Sequence, residues 1–185
     1  MTQNSRFTPP SMLKNPHIQS ILNSLGPRKI RAKRLANKLD SEILTLTAKD
    51  GTRLLAEYDR SKTPNNSLIV LLHGWEGSSQ SAYQVTTANY LLKQGFDVLR
   101  LNLRDHGDSH HLNFELFNST MTNEVAEASA CSFEIHAYEK RFLAGFSLGG
   151  NFTLRIAADH GSSLKLTAAV AICPPVDPTN AMTAL

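Results

Sequence analysis

The chain has 185 residues, 41% of them hydrophobic and 19% charged, and a formal net charge of +3. That length supports one globular domain at most, burying roughly 70% of its unfolded surface, and excludes a multidomain array. Two cysteines, Cys131 and Cys173, exclude a disulfide framework, while the short apolar runs and polar N-terminus exclude a membrane span or signal peptide as the reading. A reducing cytoplasmic setting is the expectation.

The first forty residues are strongly basic. Residues 1–39 hold eight Lys or Arg and no acid, so they carry +8 and leave −5 for the remainder. Five of these cations fall between Arg28 and Arg34. Such a run can mark an anionic membrane surface or nucleic acid. No aromatics are interleaved for base stacking, so residues 1–40 read as a solvated strap leading into a core at 41–185, with no nucleic-acid partner.

Strands are expected at 41–48 and 53–60, joined at the hairpin signal Asp50-Gly51. Ser67–Leu72 is a continuous apolar run of buried-strand character, and it ends in His73-Gly74-Trp75-Glu76-Gly77. A helix follows over 79–94, then a strand over 96–102 ending in Leu103-Arg104-Asp105-His106-Gly107-Asp108-Ser109. A helix over 120–138, a strand over 141–146, a helix over 149–160 and a strand over 166–173 complete the pattern, with Cys173 read as a small core residue. Alternating strand and helix calls for an α/β fold: a mostly parallel sheet, right-handed crossovers and helices on both faces.

The junction at 141–151 is the most informative stretch. The apolar run Phe142–Ala144 is followed by Gly145-x-Ser147-x-Gly149 and then by a helix-compatible segment. That is strand, tight turn and helix with a serine at the apex, the arrangement of a nucleophile elbow. A Cβ at either flanking glycine would clash where strand and helix approach. Ser147 would then lie at the amino end of a helix, whose partial positive charge favours developing negative charge. A dinucleotide-binding turn is also glycine-rich, but glycines at 145, 149 and 150 do not follow the G-x-G-x-x-G order.

Together these segments resemble the YheT-like branch of the α/β-hydrolases, a group of esterases of small or medium-chain acyl esters. Pro16-His17-Ile18-Gln19-Ser20-Ile21 is similar to that branch's N-terminal signature, and His73 to Ser78 to its HGxEGS loop. Gly145 to Asn151 is similar to its GxSLGGN elbow, and Cys173-Pro174-Pro175-Val176-Asp177 to the segment leading into its cap. The loop Asn102–Ser109 resembles the N/D-x-R-G-H-G-x-S loop after the fourth strand, with Asp105 in place of the usual glycine. The resemblance implies Ser147 as nucleophile, and Trp75 and Leu148 as backbone donors of an oxyanion hole. It leaves His73, Gly74, Gly145 and Gly149 in supporting roles, with no metal and no cofactor.

The triad of this fold runs in chain order serine, acid, histidine. His160, the histidine after Ser147, falls at the end of the elbow helix, where the helix dipole explains it. Asp177 reads as a cap or turn residue before Pro178. His106, His110 and His111 precede the serine. The expectation is therefore the N-terminal part of a carboxylic ester hydrolase that ends after its sixth strand, without triad acid or histidine. A small-molecule ester would be its substrate, and the free sheet edge a route to self-association. The alternatives are a non-catalytic fragment used for interaction, or an acyltransferase using the same serine.

Overall fold

The structure is a computed structural model that describes residues 8–25, 27–177 and 180. In chain order the elements are α1 (Pro16–Leu25), α2 (Pro27–Ala36), β1 (Glu42–Thr47), β2 (Arg53–Asp59), β3 (Ser67–Leu72), α3 (Ala82–Lys93), β4 (Asp97–Leu101), α4 (Thr122–Phe133), β5 (Lys140–Phe146), α5 (Leu148–His160) and β6 (Ala168–Ile172). The six strands form one sheet in the order β1-β2-β4-β3-β5-β6. β1 and β2 pair antiparallel, as do β2 and β4, whereas β4, β3, β5 and β6 run parallel.

The β1–β2 hairpin closes at Gly51, which takes φ +88, a region glycine enters without penalty. The Asp50 carboxylate accepts the Thr52 N–H at 2.9 Å, and this bond holds its pKa below the usual value. β3 is buried along its whole length because both its faces are covered. Leu68, Val70 and Leu72 join the larger core with α4 and α5 side chains such as Val125, Phe152 and Ile156. Ile69 and Leu71 face a second cluster with Ala88 of α3. A strand buried on both faces has no reason to alternate in polarity.

Two buried arginines lie on β4 and in the loop after it. Arg100 is 1% exposed and satisfied by Asp59 at 2.9 Å, Glu57 at 2.9 Å and the Ser79 carbonyl at 2.9 Å. Arg104 reaches across to Glu124 on α4 at 2.5 Å and to the Thr52 hydroxyl at 2.8 Å. Removing one partner of a buried pair strands the other charge and costs about 3–5 kcal/mol. Glu124→Leu should therefore lower urea-unfolding stability by that amount. Glu115 also contacts Arg104, but its side chain is 77% exposed, so Glu115→Ala should cost under about 1 kcal/mol.

The structure departs from the expected pattern in three places. Residues 16–25 and 27–36 are helical, where no element was expected. α4 ends at Phe133 rather than at 138, because the chain turns at His136 to bring the Tyr138 hydroxyl to Asp97, at 2.8 Å. Cys173 is exposed, not a core residue, and takes φ +43. It follows β6, the last strand in the sheet order, whose first three residues are exposed, and among the described residues nothing encloses it.

Candidate active site

Ser147 occupies the sharp junction between β5 and α5, with φ +51 and ψ −117. A non-glycine residue held there stores about 1–3 kcal/mol of strain, and persists only where its surroundings fix it. They do so from both sides: the Ser147 N–H donates to the Ile172 carbonyl at 2.9 Å, and its carbonyl accepts the Asn151 N–H at 3.0 Å. The flanking glycines show the closeness of the packing. A Cβ on Gly145 would overlap the Gly149 carbonyl and the Thr153 hydroxyl. One on Gly149 would overlap the His73 carbonyl and sit 2.6 Å from that of Leu72.

The strand order brings the second loop alongside. The chain leaves β3 toward β4 on one side and returns to β5 on the other, so the loops after β3 and β5 flank the point where the order reverses. A Cβ built on Gly74 would lie 3.2 Å from the Ser147 Cβ. The Gly77 N–H donates to the Gly74 carbonyl at 3.0 Å, closing a turn that contains Trp75, whose side chain is 58% exposed. Leu148 opens α5, so its N–H is one of those without an acceptor within the helix. Leu148 thus follows Ser147 at the start of α5, and Trp75 follows Gly74, the glycine that lies against the Ser147 Cβ.

His73 is fully buried and bridges the loops after β3 and β4. Its Nε2 accepts the Leu103 N–H at 3.0 Å, and its Nδ1 lies 2.8 Å from the Gly74 carbonyl. Accepting at Nε2 requires the neutral ring with the proton on Nδ1. Burial pushes the His73 pKa down to about 4. A histidine whose folded pKa lies below its unfolded value near 6.5 binds a proton more readily when unfolded, so stability rises with pH. Its contribution is complete above about pH 6.5 and disappears as pH falls toward 4, a loss of about 3 kcal/mol. Unfolding measured against pH for the native chain and for His73→Gln should differ in slope by one proton across that window.

The other histidines lie elsewhere. His106 Nδ1 is 2.7 Å from the Arg104 carbonyl, and its ring packs on His73 and Phe117. His110 is exposed beside Asp105 at 3.7 Å, and His111 is exposed. His160 lies at the far end of the 13-residue α5, about 20 Å along the axis from Ser147, with Nε2 3.1 Å from Asn123 Oδ1. Asp177 accepts the Asn180 N–H at 3.1 Å. Among the described residues, no histidine hydrogen-bonds to the Ser147 hydroxyl. Asp105, where the resembling loop has glycine, takes φ +60 and steadies itself by accepting the Phe117 N–H at 3.0 Å.

Sequence reasoning missed Tyr83. Its hydroxyl accepts the Gly74 N–H at 2.9 Å and its ring packs on Phe146 at 4.8 Å, so it braces the loop from the first turn of α3. Asn102 was also missed: its side chain accepts the Ser79 N–H at 2.8 Å and fixes the chain entering α3. Tyr83 lies in no spacing pattern, and Asn102, although it opens the loop motif after β4, carried no sign of its partner, since each contact joins separate elements.

The α/β hydrolase fold family matches residues 67–184. "Putative esterase YheT" of Escherichia coli (strain K12) is 22% identical over 174 residues, covering 94% of this chain and 50% of that protein. An esterase of Pyrococcus furiosus superposes with TM-score 0.67 at 19% identity, over 80% of this chain and 55% of its own. An α/β serine hydrolase without a lid, from Xanthomonas campestris, superposes with TM-score 0.63 at 23% identity, over 74% of this chain and 62% of its own. The chain thus spans about half the length of the curated relative it matches. With the strand order in agreement, the chain belongs to the α/β-hydrolase fold family and is similar to YheT over 94% of its length.

Proposed function

We propose that this chain carries the nucleophile and oxyanion loops of a serine esterase acting on small-molecule carboxylic esters. The observation that carries this reading is Ser147, held at φ +51 on the apex between β5 and α5, with Gly74 against its Cβ. Ser147 Oγ attacks the ester carbonyl, the alkoxide leaves, and an acyl-serine forms that water then hydrolyses. The Trp75 and Leu148 N–H groups hold the oxyanion, while Gly74 and His73 shape the loop and Gly145 and Gly149 allow the close packing. The proton passes through a histidine oriented by an acid, both supplied from outside residues 1–185. Short or medium acyl chains are the substrate class, and no metal or cofactor takes part.

In the complete protein that this reading calls for, a fluorophosphonate probe should label Ser147, as read by mass spectrometry of the adduct. Gly74→Val, whose branched side chain would press on Ser147 Cβ and the Phe146 carbonyl, should slow labelling by about 10²–10³. Trp75→Phe keeps the amide and should retain most of the rate. Labelling at another serine, or equal effects of the two substitutions, would remove the assignment.

A further inference from the structure

The N-terminal helices present a surface that the esterase reading does not use. On α1, Ile18, Ile21 and Leu22 are 41%, 56% and 45% exposed, and their i, i+3, i+4 spacing places them on one face. Met12, in the turn before α1, is 83% exposed. Next to α1, α2 buries Ala32 against α3 and turns its opposite face outward. Ile30, 57% exposed, lines an open groove shared with the start of α3, and Lys29, Arg31, Lys33 and Arg34 around it are all exposed. With Lys14 and Lys38 these make six exposed cations, none ion-paired with a described residue.

Single exposed apolar side chains need no explanation, but three on one face of α1, with Met12 before it and Ile30 on the next helix beside a dense block of one charge, do. We propose that α1 and α2 dock on an anionic phospholipid surface, with Met12, Ile18, Ile21, Leu22 and Ile30 entering the headgroup–acyl boundary and the α2 cations contacting lipid phosphates. Stable peripheral binding takes two signals, an apolar one and a polybasic one, and adjacent helices supply both. Among the described residues no helix is long and apolar enough to cross a membrane, so the helices lie in the plane of the interface. Nucleic acid fits less well: residues 8–39 contain no Phe, Tyr or Trp to stack on bases, and phosphodiesters offer the isoleucines nothing. An open groove of about 620 Å³ lined by Ile30, Lys33 and Tyr83 joins this surface to the residue that braces the loop after β3. The docking proposal stands whether or not the esterase reading holds.

Vesicle flotation of the 185-residue chain tests it, because flotation separates bound protein from aggregate. Phosphatidylcholine vesicles containing phosphatidylglycerol should carry the chain up the gradient at low salt, less so at high salt, and phosphatidylcholine alone should not. Replacing Lys29, Arg31, Lys33 and Arg34 with Gln should weaken binding about fivefold per cation, about 10² or more together. Ile18→Ser with Ile21→Ser should weaken it about tenfold or more. Both variants alter exposed side chains, and circular dichroism confirms that each is folded. As a control, Lys62, Lys93, Lys140 and Lys165 become Gln; all four are exposed and lie on other elements or loops. An equal loss in that control would show binding by net charge alone and overturn the proposal. So would absence of flotation, or RNA binding that displaces the vesicles. A concentration-dependent oligomer dispersed by Ile21→Ser, without flotation, would assign the face to a second copy instead.

Discussion

Assayed alone, the 185-residue chain should hydrolyse p-nitrophenyl butyrate about 10⁶-fold more slowly than a complete serine esterase. Losing triad members removes that much turnover, and what remains comes from the oxyanion hole and binding. The geometry supports so large a loss. His73 has both ring nitrogens committed within its loop region, and burial keeps it neutral to about pH 4. His106 is turned to the Arg104 carbonyl, and His160 is at the opposite end of α5. The same preparation should self-associate. β6 pairs with β5 on one side and is the outer strand on the other, and Val170 in its middle is 54% exposed. An apolar strand with an open row of N–H and C=O groups is a template for another chain. Turnover and size-exclusion with light scattering check both parts. A stable monomer with esterase activity lost on Ser147→Ala would overturn the view, and would return His106, His110, His111 and His160 to consideration as the base.

Gly149→Val should be among the most destabilising single substitutions in the chain, at about 3 kcal/mol or more. Its Cβ would overlap the His73 carbonyl and press on Leu72. Those are backbone atoms at the end of a strand buried on both faces, so they cannot swing aside as a side chain would. Gly51→Ala is the control. It has φ +88 but no atom within 4 Å of a new Cβ, so its loss of about 1 kcal/mol comes from backbone conformation alone. Urea unfolding of the two variants separates close approach from conformational preference. Equal losses would mean that β3, β5 and α5 do not converge as tightly as the elbow requires.

The six strands and the helices after β3, β4 and β5 were legible in the sequence because each is a local pattern. Ser67–Leu72 could be buried on both faces only in a parallel sheet with helices on each side. The glycines at 145 and 149 made sense only around a tight strand-to-helix turn. α1 and α2 were not legible. The basic run from Arg28 to Arg34 has the composition of a solvated segment, and α2 acquires its helix with Ala32 packed under it. Helical propensity is weak beside tertiary packing. Cys173 was misjudged for a related reason: its apolar neighbours suggest a core position, but burial depends on what lies across an edge strand.

By itself, the sequence determined the α/β class, the serine at the apex of its turn and the two loops that flank it, since local spacing and chain order encode all three. Only the tertiary structure decided that Tyr83 braces Gly74, that His73 is a neutral buried tie between loops, and that α1 and α2 set an apolar ridge beside a basic face. Those contacts join residues whose separation in the chain carries no periodic signal. They come into being only when the order β4-β3-β5 folds distant loops onto one edge of the sheet.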